Sequence, residues 1–144
     1  RPGPLIMARV LDIGAGYDPH PEATDAIDAF DQKTLVELGK LDGRAIPVKI
    51  TYRYQVDMNA GLPYPAGTFQ KVVSQFALAT FGKPKAFREA HRVLKPGGTI
   101  EIWMGNRGEV PRIVRHLRGA RFTQITTEPL GRGDYLIAAR KPLS

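Results

Sequence analysis

Hydrophobic and polar residues follow two different periods along this chain, and the two periods predict strands and helices in turn. Short apolar runs that end at Gly or a polar residue are typical of buried parallel strands, whereas apolar residues spaced three and four apart are typical of a helix face. The predicted strands span residues 9–13, 24–28, 50–58, 72–76, 99–104, 121–127 and 135–139. The predicted helices span residues 33–41, 84–95 and 109–117.

The second of these helices has the clearest periodicity. Phe87, Ala90, His91 and Leu94 follow an i, i+3, i+4, i+7 pattern. A proline opens the helix, where its missing N–H needs no partner, and we expect the Pro-Gly-Gly sequence at residues 96–98 to end it. His91 lies within the apolar stripe, so we interpret it as a packed histidine and not as a base.

Strands that alternate with helices predict a parallel α/β sheet, with the last two strands as an antiparallel hairpin at one edge. Ten residues, 14–23, connect the first two strands, and two of them are Pro. A parallel crossover needs about a dozen residues and usually a helix, so we expect the first crossover helix to be reduced to a loop or a single turn. The predicted fold class is α/β, with three layers and a mostly parallel sheet, in a single domain over residues 1–144.

Composition excludes several classes of chemistry. The chain has no Cys, which excludes disulfides, thiolate metal ligands and a cysteine nucleophile. Its three histidines share no ligand spacing, so we predict no metal site. No apolar run approaches the roughly 18 residues of a membrane span, and residues 1–4 lack the apolar region of a signal peptide. We therefore predict a cytoplasmic protein that does not enter a membrane.

Charge is distributed unevenly along the chain. Residues 1–82 contain 8 Lys+Arg and 9 Asp+Glu, whereas residues 83–144 contain 13 and 5, and the two parts together give the net charge of +7. A basic half is typical of proteins that bind an anionic partner such as RNA or an acidic protein. A solvated basic surface without a partner has the same composition, so both interpretations stay open.

Three short segments follow one another in order: residues 10–16 (VLDIGAG), residues 57–69 (DMNAGLPYPAGTF) and residues 92–98 (RVLKPGG). Together they resemble the class I S-adenosylmethionine-dependent methyltransferases, and the Gly-x-Gly-x-x-Pro sequence with a short crossover resembles a subset of small members. The resemblance implies a Rossmann-like fold and S-adenosylmethionine as cofactor. At the third segment it implies a structural role for Glu89 and Arg92, which we expect to pair on the helix surface.

At the first strand end, the expected cofactor residues are Asp12, Gly14, Ala15 and Gly16. The glycines let the backbone turn tightly and approach a ligand, and the N–H groups form a candidate nest for a carboxylate. An ordinary turn would need the same glycines.

Acidic residues follow the next two predicted strands. Asp28, with Asp31 as the alternative, is expected to accept hydrogen bonds from both ribose hydroxyls, as an acid does in nucleotide-binding folds. A solvated loop acid is the competing interpretation. The resemblance further implies that Asp57 accepts from the adenine amine and that Met58 covers the ring.

At the end of the fourth strand, Ser74, Gln75 and Phe76 are expected beside the transferred methyl group, Ser74 as a cofactor residue and the other two as acceptor contacts. Tyr17 is a further, weaker candidate for acceptor binding. Methyl transfer from a sulfonium is a direct displacement that depends on alignment and exclusion of water. The sequence therefore assigns no catalytic residue.

The chain departs from the family pattern in two places. Tyr17, Asp18 and Pro19 stand where family members often have a third Gly, and Pro19 also interrupts the dinucleotide pattern Gly-x-Gly-x-x-Gly, which argues against NAD. The helices that roof the cofactor in family members have eight residues in their place. We expect that a partner chain or a second copy completes the cleft, that the domain is part of a longer protein, or that the cleft stays open.

The leading functional hypothesis is methyl transfer from S-adenosylmethionine to an unidentified acceptor. The first alternative is a non-catalytic module of the same fold that binds a protein or RNA partner through its basic C-terminal half, with Arg112, Arg115 and Arg118 as contacts. The second alternative is an effector or toxin domain of a larger secreted protein.

Overall fold

The computed structural model describes residues 8–144, which form seven strands and four helices. The strands are β1 (Val10–Ile13), β2 (Asp25–Ile27), β3 (Thr51–Arg53), β4 (Phe69–Gln75), β5 (Leu94–Met104), β6 (Thr123–Gly131) and β7 (Asp134–Arg140). The helices are α1 (Gln32–Leu41), α2 (Ala77–Phe81), α3 (Pro84–Val93) and α4 (Val110–Gly119), with a short 3₁₀ turn at Arg107–Glu109. The predicted alternation of strands and helices is confirmed, and α2 is an addition that the sequence pattern does not reveal.

The seven strands form one sheet in the order β3-β2-β1-β4-β5-β7-β6. Strands β1 to β5 pair in parallel, and β7 runs antiparallel to both β5 and β6. The predicted mostly parallel sheet with an antiparallel C-terminal edge hairpin is confirmed. Because β1 has β2 on one side and β4 on the other, the strand order reverses there, and ligands of open α/β sheets bind outside the strand ends at such a point.

Helices α2, α3 and α4 pack against one face of the sheet and enclose the main core. Ile100 and Ile102 of β5 are fully buried in this core with Phe87 of α3. Glu101 and Trp103 alternate with them and are half-buried on the opposite face. The period of two therefore gives the sheet one apolar face under the helices and one more polar face.

The polar face lies beside the first crossover. Residues 14–24 contain turns and no helix, as the short, proline-containing connection predicts. Lys71 of β4 forms ion pairs on this face with Glu22 of the crossover at 3.1 Å and with Glu101 at 3.0 Å. Charged contacts therefore occupy surface that a full crossover helix would otherwise cover.

The third strand is much shorter than predicted. The sequence predicts a strand over residues 50–58, but β3 ends at Arg53 because Gln55 adopts a positive φ of 56° and turns the chain. The N–H of Gln55 donates to the carbonyl of Phe30 at 3.1 Å. Asp57 therefore lies in a turn beyond the strand and does not end it, contrary to the prediction.

Two further boundaries differ from the predicted ones. Leu94 is already extended (ψ 142°) and pairs with Phe69, so α3 ends at Val93 and β5 begins before the Pro-Gly-Gly sequence. Strand pairing at this position outweighs the helical periodicity. The last hairpin turns within two residues, because Arg132 and Gly133 both adopt positive φ, 54° and 82°.

Among the described residues, no helix has the length and apolar composition needed to cross a membrane. The predictions about the missing roof helices and about a chain that completes the cleft concern the segment before the first strand, and residues 1–7 of that segment lie outside the described part. They stay predictions, as does the cytoplasmic location.

Candidate functional site

The turn after β1 is built around two glycines in the left-handed region. Gly14 has φ 69° and Gly16 has φ 60°. A Cβ added to Gly14 would lie 2.2 Å from the Cβ of Ala77 in α2. The N–H groups of Gly14 and Ala15 donate to the carbonyl of Ile27 at 2.9 and 3.1 Å. The turn is therefore as tight as the sequence predicts, and its donors are bonded to β2.

Asp28, just after β2, closes the same turn. Its buried carboxylate accepts from the N–H of Gly16 at 2.8 Å and from the N–H of Phe30 at 2.9 Å. The expected nest of free N–H groups at residues 14–16 is therefore wrong, because all three donors have protein partners. Each carboxylate oxygen keeps a further lone pair, so Asp28 can still accept hydrogen bonds from a ligand.

Asp31 has a different local role. Its Oδ1 accepts from the N–H of Thr34 at 2.8 Å and caps the N-terminus of α1, and this hydrogen bond lowers the pKa of Asp31. The side chain is exposed, four residues beyond the end of β2. Of the two alternatives that the sequence leaves open, the geometry favours Asp28 as the strand-end carboxylate.

The segment after β3 returns to the glycine turn. The N–H of Val56 donates to the carbonyl of Asp28 at 2.9 Å, and the Cε of Met58 lies 3.9 Å from the Cβ position of Gly14. Asp57 is exposed, and its Oδ1 accepts from the N–H of Asn59 at 2.9 Å. Residues predicted to contact the cofactor from three strand ends are therefore neighbours in space, although their contacts with a ligand stay predictions.

Asp12 of β1 has a buried carboxyl that is only half satisfied. Its Oδ2 accepts from the N–H of His20 at 2.7 Å, while its Oδ1 has no hydrogen-bond partner among the described residues. Burial raises the pKa of Asp12 to about 7, and the hydrogen bond from the N–H of His20, followed by the nearby Gln75 side chain, partly opposes that shift. A buried acceptor without a donor is destabilising, so this oxygen suits a donor group supplied by a ligand.

Ser74 lies near the end of β4, as predicted, but its hydroxyl has protein partners. Its buried hydroxyl donates to the carbonyl of Ile13 at 2.9 Å and accepts from the N–H of Leu78 at 2.9 Å. These bonds join β1 to α2 inside the protein. The predicted cofactor contact through Ser74 is therefore not supported, because the hydroxyl connects two structural elements.

Phe76 lies at the end of β4, where α2 begins. Its φ of 76° is in the left-handed region, and its side chain is 40% exposed. The N–H of Phe76 donates to the carbonyl of Trp103 at 3.0 Å, which fixes this conformation. Backbone strain in a residue other than Gly is often found at functional sites, so the geometry is consistent with the predicted acceptor contact. Gln75 is half-buried beside it.

Tyr17, the weaker candidate for acceptor binding, directs its side chain to α1, and its role stays a prediction. Its ring packs on Gly39, and its hydroxyl donates to Asp42 at the far end of α1.

Tyr52, which the sequence suggests only as a strand former, contacts the glycine turn. Its hydroxyl donates to the carbonyl of Gly16 at 2.7 Å, and its ring stacks on that of Tyr54 with the ring centres 4.3 Å apart. The i, i+2 spacing of two tyrosines in a predicted strand is the signal that would have placed them on one face.

Glu89 and Arg92 do more than pair on the helix surface. The Arg92 guanidinium binds Glu89 at 2.7 Å and donates to the carbonyls of Tyr64 and Leu62 at 2.8 and 3.0 Å. Glu89 in turn accepts from the N–H of Leu62 at 2.8 Å, and the Arg92 charge lowers the pKa of Glu89. The pair therefore holds the loop that follows Asp57, a contact that helix spacing alone does not predict.

Two cavities flank these elements. One of about 460 Å³ lies between α1 and residues 44–54, and its lining includes Tyr17, the weaker acceptor candidate, but none of the predicted cofactor residues. The other, of about 240 Å³, lies between α2 and the end of β5 and is lined by Thr80, Asn106 and Arg112. The smaller cavity therefore lies at the end of β5, and the larger one lies beside β3. Among residues 8–144, no three His, Cys, Asp or Glu side chains come together as metal ligands would.

The strand order and the strand-end residues can be compared with known proteins. The profile of a family described as a methyltransferase domain matches residues 11–102, more than half of the chain. This chain therefore belongs to the methyltransferase-domain family, and its resemblance to class I S-adenosylmethionine-dependent methyltransferases is confirmed. S-adenosylmethionine is the cofactor that this family indicates. No curated protein matches the sequence.

Solved structures share the fold at low sequence identity. An S-adenosylmethionine-dependent methyltransferase from Thermotoga maritima, described as a possible histamine N-methyltransferase, has a TM-score of 0.69 at 15% identity and covers 95% of this chain and 83% of its own. Phosphoethanolamine N-methyltransferase 2 of Haemonchus contortus, solved with S-adenosyl-L-methionine, has a TM-score of 0.72 at 16% identity over 97% of this chain and 50% of its own. The [4+2]-cyclase SpnF has a TM-score of 0.70 at 17% identity, and the match covers 95% of this chain and 75% of the cyclase chain. These likenesses show the fold.

Proposed function

We propose that this chain binds S-adenosylmethionine across the ends of β1 and β2 and the turn after β3, and transfers its methyl group to an acceptor held near the ends of β4 and β5. The observation that carries the proposal is the convergence of Gly14, Asp28 and Met58. The carboxylate of Asp28 accepts from the glycine turn, and Met58 lies against the same turn.

The residues fit the donor groups of this cofactor. Its ammonium, ribose hydroxyls and adenine amine are all hydrogen-bond donors, and carboxylates are acceptors. Asp12 offers a buried oxygen without a partner, Asp28 offers oxygens at the end of β2, and Asp57 offers an exposed carboxylate after β3. We assign them to the ammonium, the ribose and the adenine respectively, with Met58 against the purine.

The cofactor supplies a methyl group activated on a sulfonium. The chain's own residues bind and orient: Gly14 lets α2 pack against the turn, and Phe76 presents a partly exposed ring next to Gly105, which lines the smaller cavity. Alignment and exclusion of water account for much of the acceleration of such a displacement. The fold alone does not establish the reaction, because a cyclase shares it.

Calorimetric titration with S-adenosylmethionine and S-adenosylhomocysteine tests the binding step. We expect the Asp28→Asn and Asp57→Asn variants to bind at least about tenfold more weakly, since each loses a charged hydrogen-bond acceptor. The matched control is Asp31→Asn, which removes the same charge three residues from Asp28 and keeps a residue able to cap α1. It should bind within about twofold of the wild type.

Absence of binding at millimolar cofactor, or equal weakening in the control, contradicts the proposed site. The transfer step is tested separately by incubating the protein and labelled cofactor with fractions of cell extract. We expect the label to appear in one class of acceptor with the wild type and not with Asp57→Asn. Binding without transfer to any fraction would favour the non-catalytic alternative.

A further inference from the structure

The positive charge of this protein is concentrated in one stretch of the chain. Residues 83–122 contain 10 Lys+Arg and 3 Asp+Glu, a net charge of +7, which equals the net charge of the whole chain. This stretch comprises α3, β5, α4 and the turn that follows. The helical layer over the core therefore carries the charge excess.

The acids of this stretch are all engaged by cations. Glu89 pairs with Arg92 at 2.7 Å, and Glu101 pairs with Lys71 of β4 at 3.0 Å. Glu109 pairs with Arg112 at 2.6 Å. Residues 1–7 contain no Asp or Glu. The remaining cations of the stretch therefore have no acid of this layer left to neutralise them.

Four of these cations define what we call the α3–α4 surface: Arg88, Arg115, Arg118 and Arg121. All four are exposed, and none forms an ion pair among residues 8–144. Arg112, which the sequence places in the same stripe, does not belong to it, because its guanidinium binds Glu109 and the carbonyl of Ala79.

The two helices lie side by side, so their exposed arginines share one side of the molecule. The rings of Phe87 in α3 and His116 in α4 are 4.9 Å apart. Arg115 lies two residues, about 200° around the helix, from both buried Ile113 and buried Leu117, so it points away from the core. Burial and then nearby Arg112 and Arg115 lower the pKa of His116, and no carboxylate opposes them.

Arg121 extends this environment to α3. His91 packs edge-on against Phe122 at 5.0 Å. Burial lowers the pKa of His91, followed by the charges of Lys141 and Arg121. The charges that act on the two histidines of the helical layer are therefore those of cations, with no carboxylate opposing them.

The surface lacks the apolar contacts that other anionic partners require. Protein interfaces depend on buried aromatic or aliphatic anchors, and peripheral membrane helices insert apolar side chains. None of the large hydrophobic residues that are exposed in residues 8–144 lies on α3 or α4. Interfaces with nucleic acid are more polar and more positively charged, and arginine binds phosphate through two parallel hydrogen bonds.

We propose that the α3–α4 surface binds the phosphate backbone of a nucleic acid. The arginines act on backbone charge and not on base identity, because no exposed aromatic side chain on either helix offers a stacking platform. The surface does not depend on the cofactor site, so its test is performed without S-adenosylmethionine and its outcome is separate from that of the proposed methyl transfer.

Fluorescence anisotropy with labelled RNA of about 20 nucleotides, single-stranded and duplex, measures affinity as KCl is varied from about 50 to about 300 mM. We expect a linear fall of log K with log salt. The Arg115→Gln/Arg118→Gln variant should reduce the slope by about 1.4 to 1.8, the counterions released by two phosphate contacts, and weaken binding several-fold. DNA of the same sequence establishes whether the sugar matters, and binding to either polymer supports the proposal.

The matched control is Lys33→Gln/Lys49→Gln, which removes two exposed charges, one in α1 and one just before β3 at the other edge of the sheet. It should keep the wild-type slope and bind within about twofold. Thermal unfolding checks that the variants are folded, and Arg88→Gln/Arg121→Gln is the second pair on the surface if the first is unstable. No binding near 50 mM salt, equal losses in the control, or equally tight and equally Arg115-dependent binding of poly-glutamate would overturn the proposal.

Discussion

Gly14 lets the glycine turn pack closely against α2 because it has no side chain. Its φ of 69° lies where L-residues other than Gly are disfavoured, and Ala77 occupies the space that a Cβ would need. Its N–H is bonded to Ile27. Gly16, two residues on, has a similar φ of 60° but nothing within 4 Å of its Cβ position. Substitution of the two glycines by Ala therefore distinguishes the cost of backbone strain, which both share, from the cost of overpacking, which only Gly14 has.

Substitution of Gly14 by Ala should destabilise the protein by about 2–5 kcal/mol, because backbone strain of about 1–2 kcal/mol adds to overpacking of about 1–3 kcal/mol. Gly16→Ala should show only the backbone strain, about 1–2 kcal/mol. Urea unfolding followed by circular dichroism measures both. Equal losses in the two variants would mean that α2 moves away from the turn without resistance.

Helix α3 acts on the predicted cofactor site through a loop. Its Glu89 and Arg92 bind the backbone of Leu62 and Tyr64, which follow Asp57 in the chain. The segment from Gly61 to Gly67 has no regular structure of its own. Hydrogen bonds from these side chains therefore hold it where strand pairing would hold a regular segment. The helix therefore positions the loop without contacting the strand ends.

Arg92→Ala should remove the hydrogen bonds from the guanidinium to the carbonyls of Leu62 and Tyr64 and lower the free energy of unfolding by about 1–3 kcal/mol, since these bonds join a charged donor to backbone carbonyls. The Leu62 amide is bonded to Glu89, which loses the Arg92 side chain that orients it, so hydrogen exchange at Leu62 should accelerate more than exchange in β5. The control is Arg88→Ala on the same helix, which is exposed and should leave both quantities near the wild type. Unchanged exchange at Leu62 in Arg92→Ala would show that the loop is held by other contacts.

The alternation of elements in the whole molecule could be predicted because it is encoded locally. The buried residues of α3 repeat at helical spacing, and the short first crossover is visible as ten residues with two prolines. The end of β3 could not be predicted, since the turn at Gln55 depends on a hydrogen bond to Phe30, which follows β2 and is 25 residues away in the sequence. Local strand propensity continues through Tyr54 and contains no sign of that partner.

The candidate site, like the fold, could be predicted where it depends on local sequence and not where it depends on distant contacts. Gly14 and Asp28 are both predicted to follow strands of one parallel sheet, and Asp28 does reach the glycine turn, where it accepts from the N–H of Gly16. The free nest was wrong because its donors find partners in Ile27 and in Asp28 itself, 12 residues from Gly16. The hydroxyl of Ser74 was likewise assigned to a ligand, although it connects two elements. Sequence reasoning identified polar groups at the strand ends but could not count which of them the fold already uses.

Asp12 makes the stability of the whole molecule depend on pH. Its pKa is raised from 3.8 to about 7 by burial, so between these values the folded state binds more protons than the unfolded state. The free energy of unfolding must then fall as pH rises through that interval. Burial lowers the pKa of His91 and His116, which gives a dependence of opposite sign at lower pH. Both histidines are retained in an Asp12 variant, so their contribution cancels in the comparison.

Asp12→Asn keeps the shape of the side chain and removes its titration. We expect its stability relative to the wild type to rise by about 2–3 kcal/mol between pH 5 and pH 8, because only the wild type must bury a charge at the higher pH. Urea unfolding across this range measures the difference, and Asp57→Asn, which alters an exposed carboxylate, should give a curve parallel to the wild type. Parallel curves for Asp12→Asn and the wild type would mean that a donor absent from the described contacts already satisfies Oδ1. A cationic ligand group at Oδ1 would lower the pKa of Asp12. Saturating S-adenosylmethionine should therefore reduce the pH dependence of the wild-type free energy of unfolding and leave the pH dependence of Asp12→Asn unchanged.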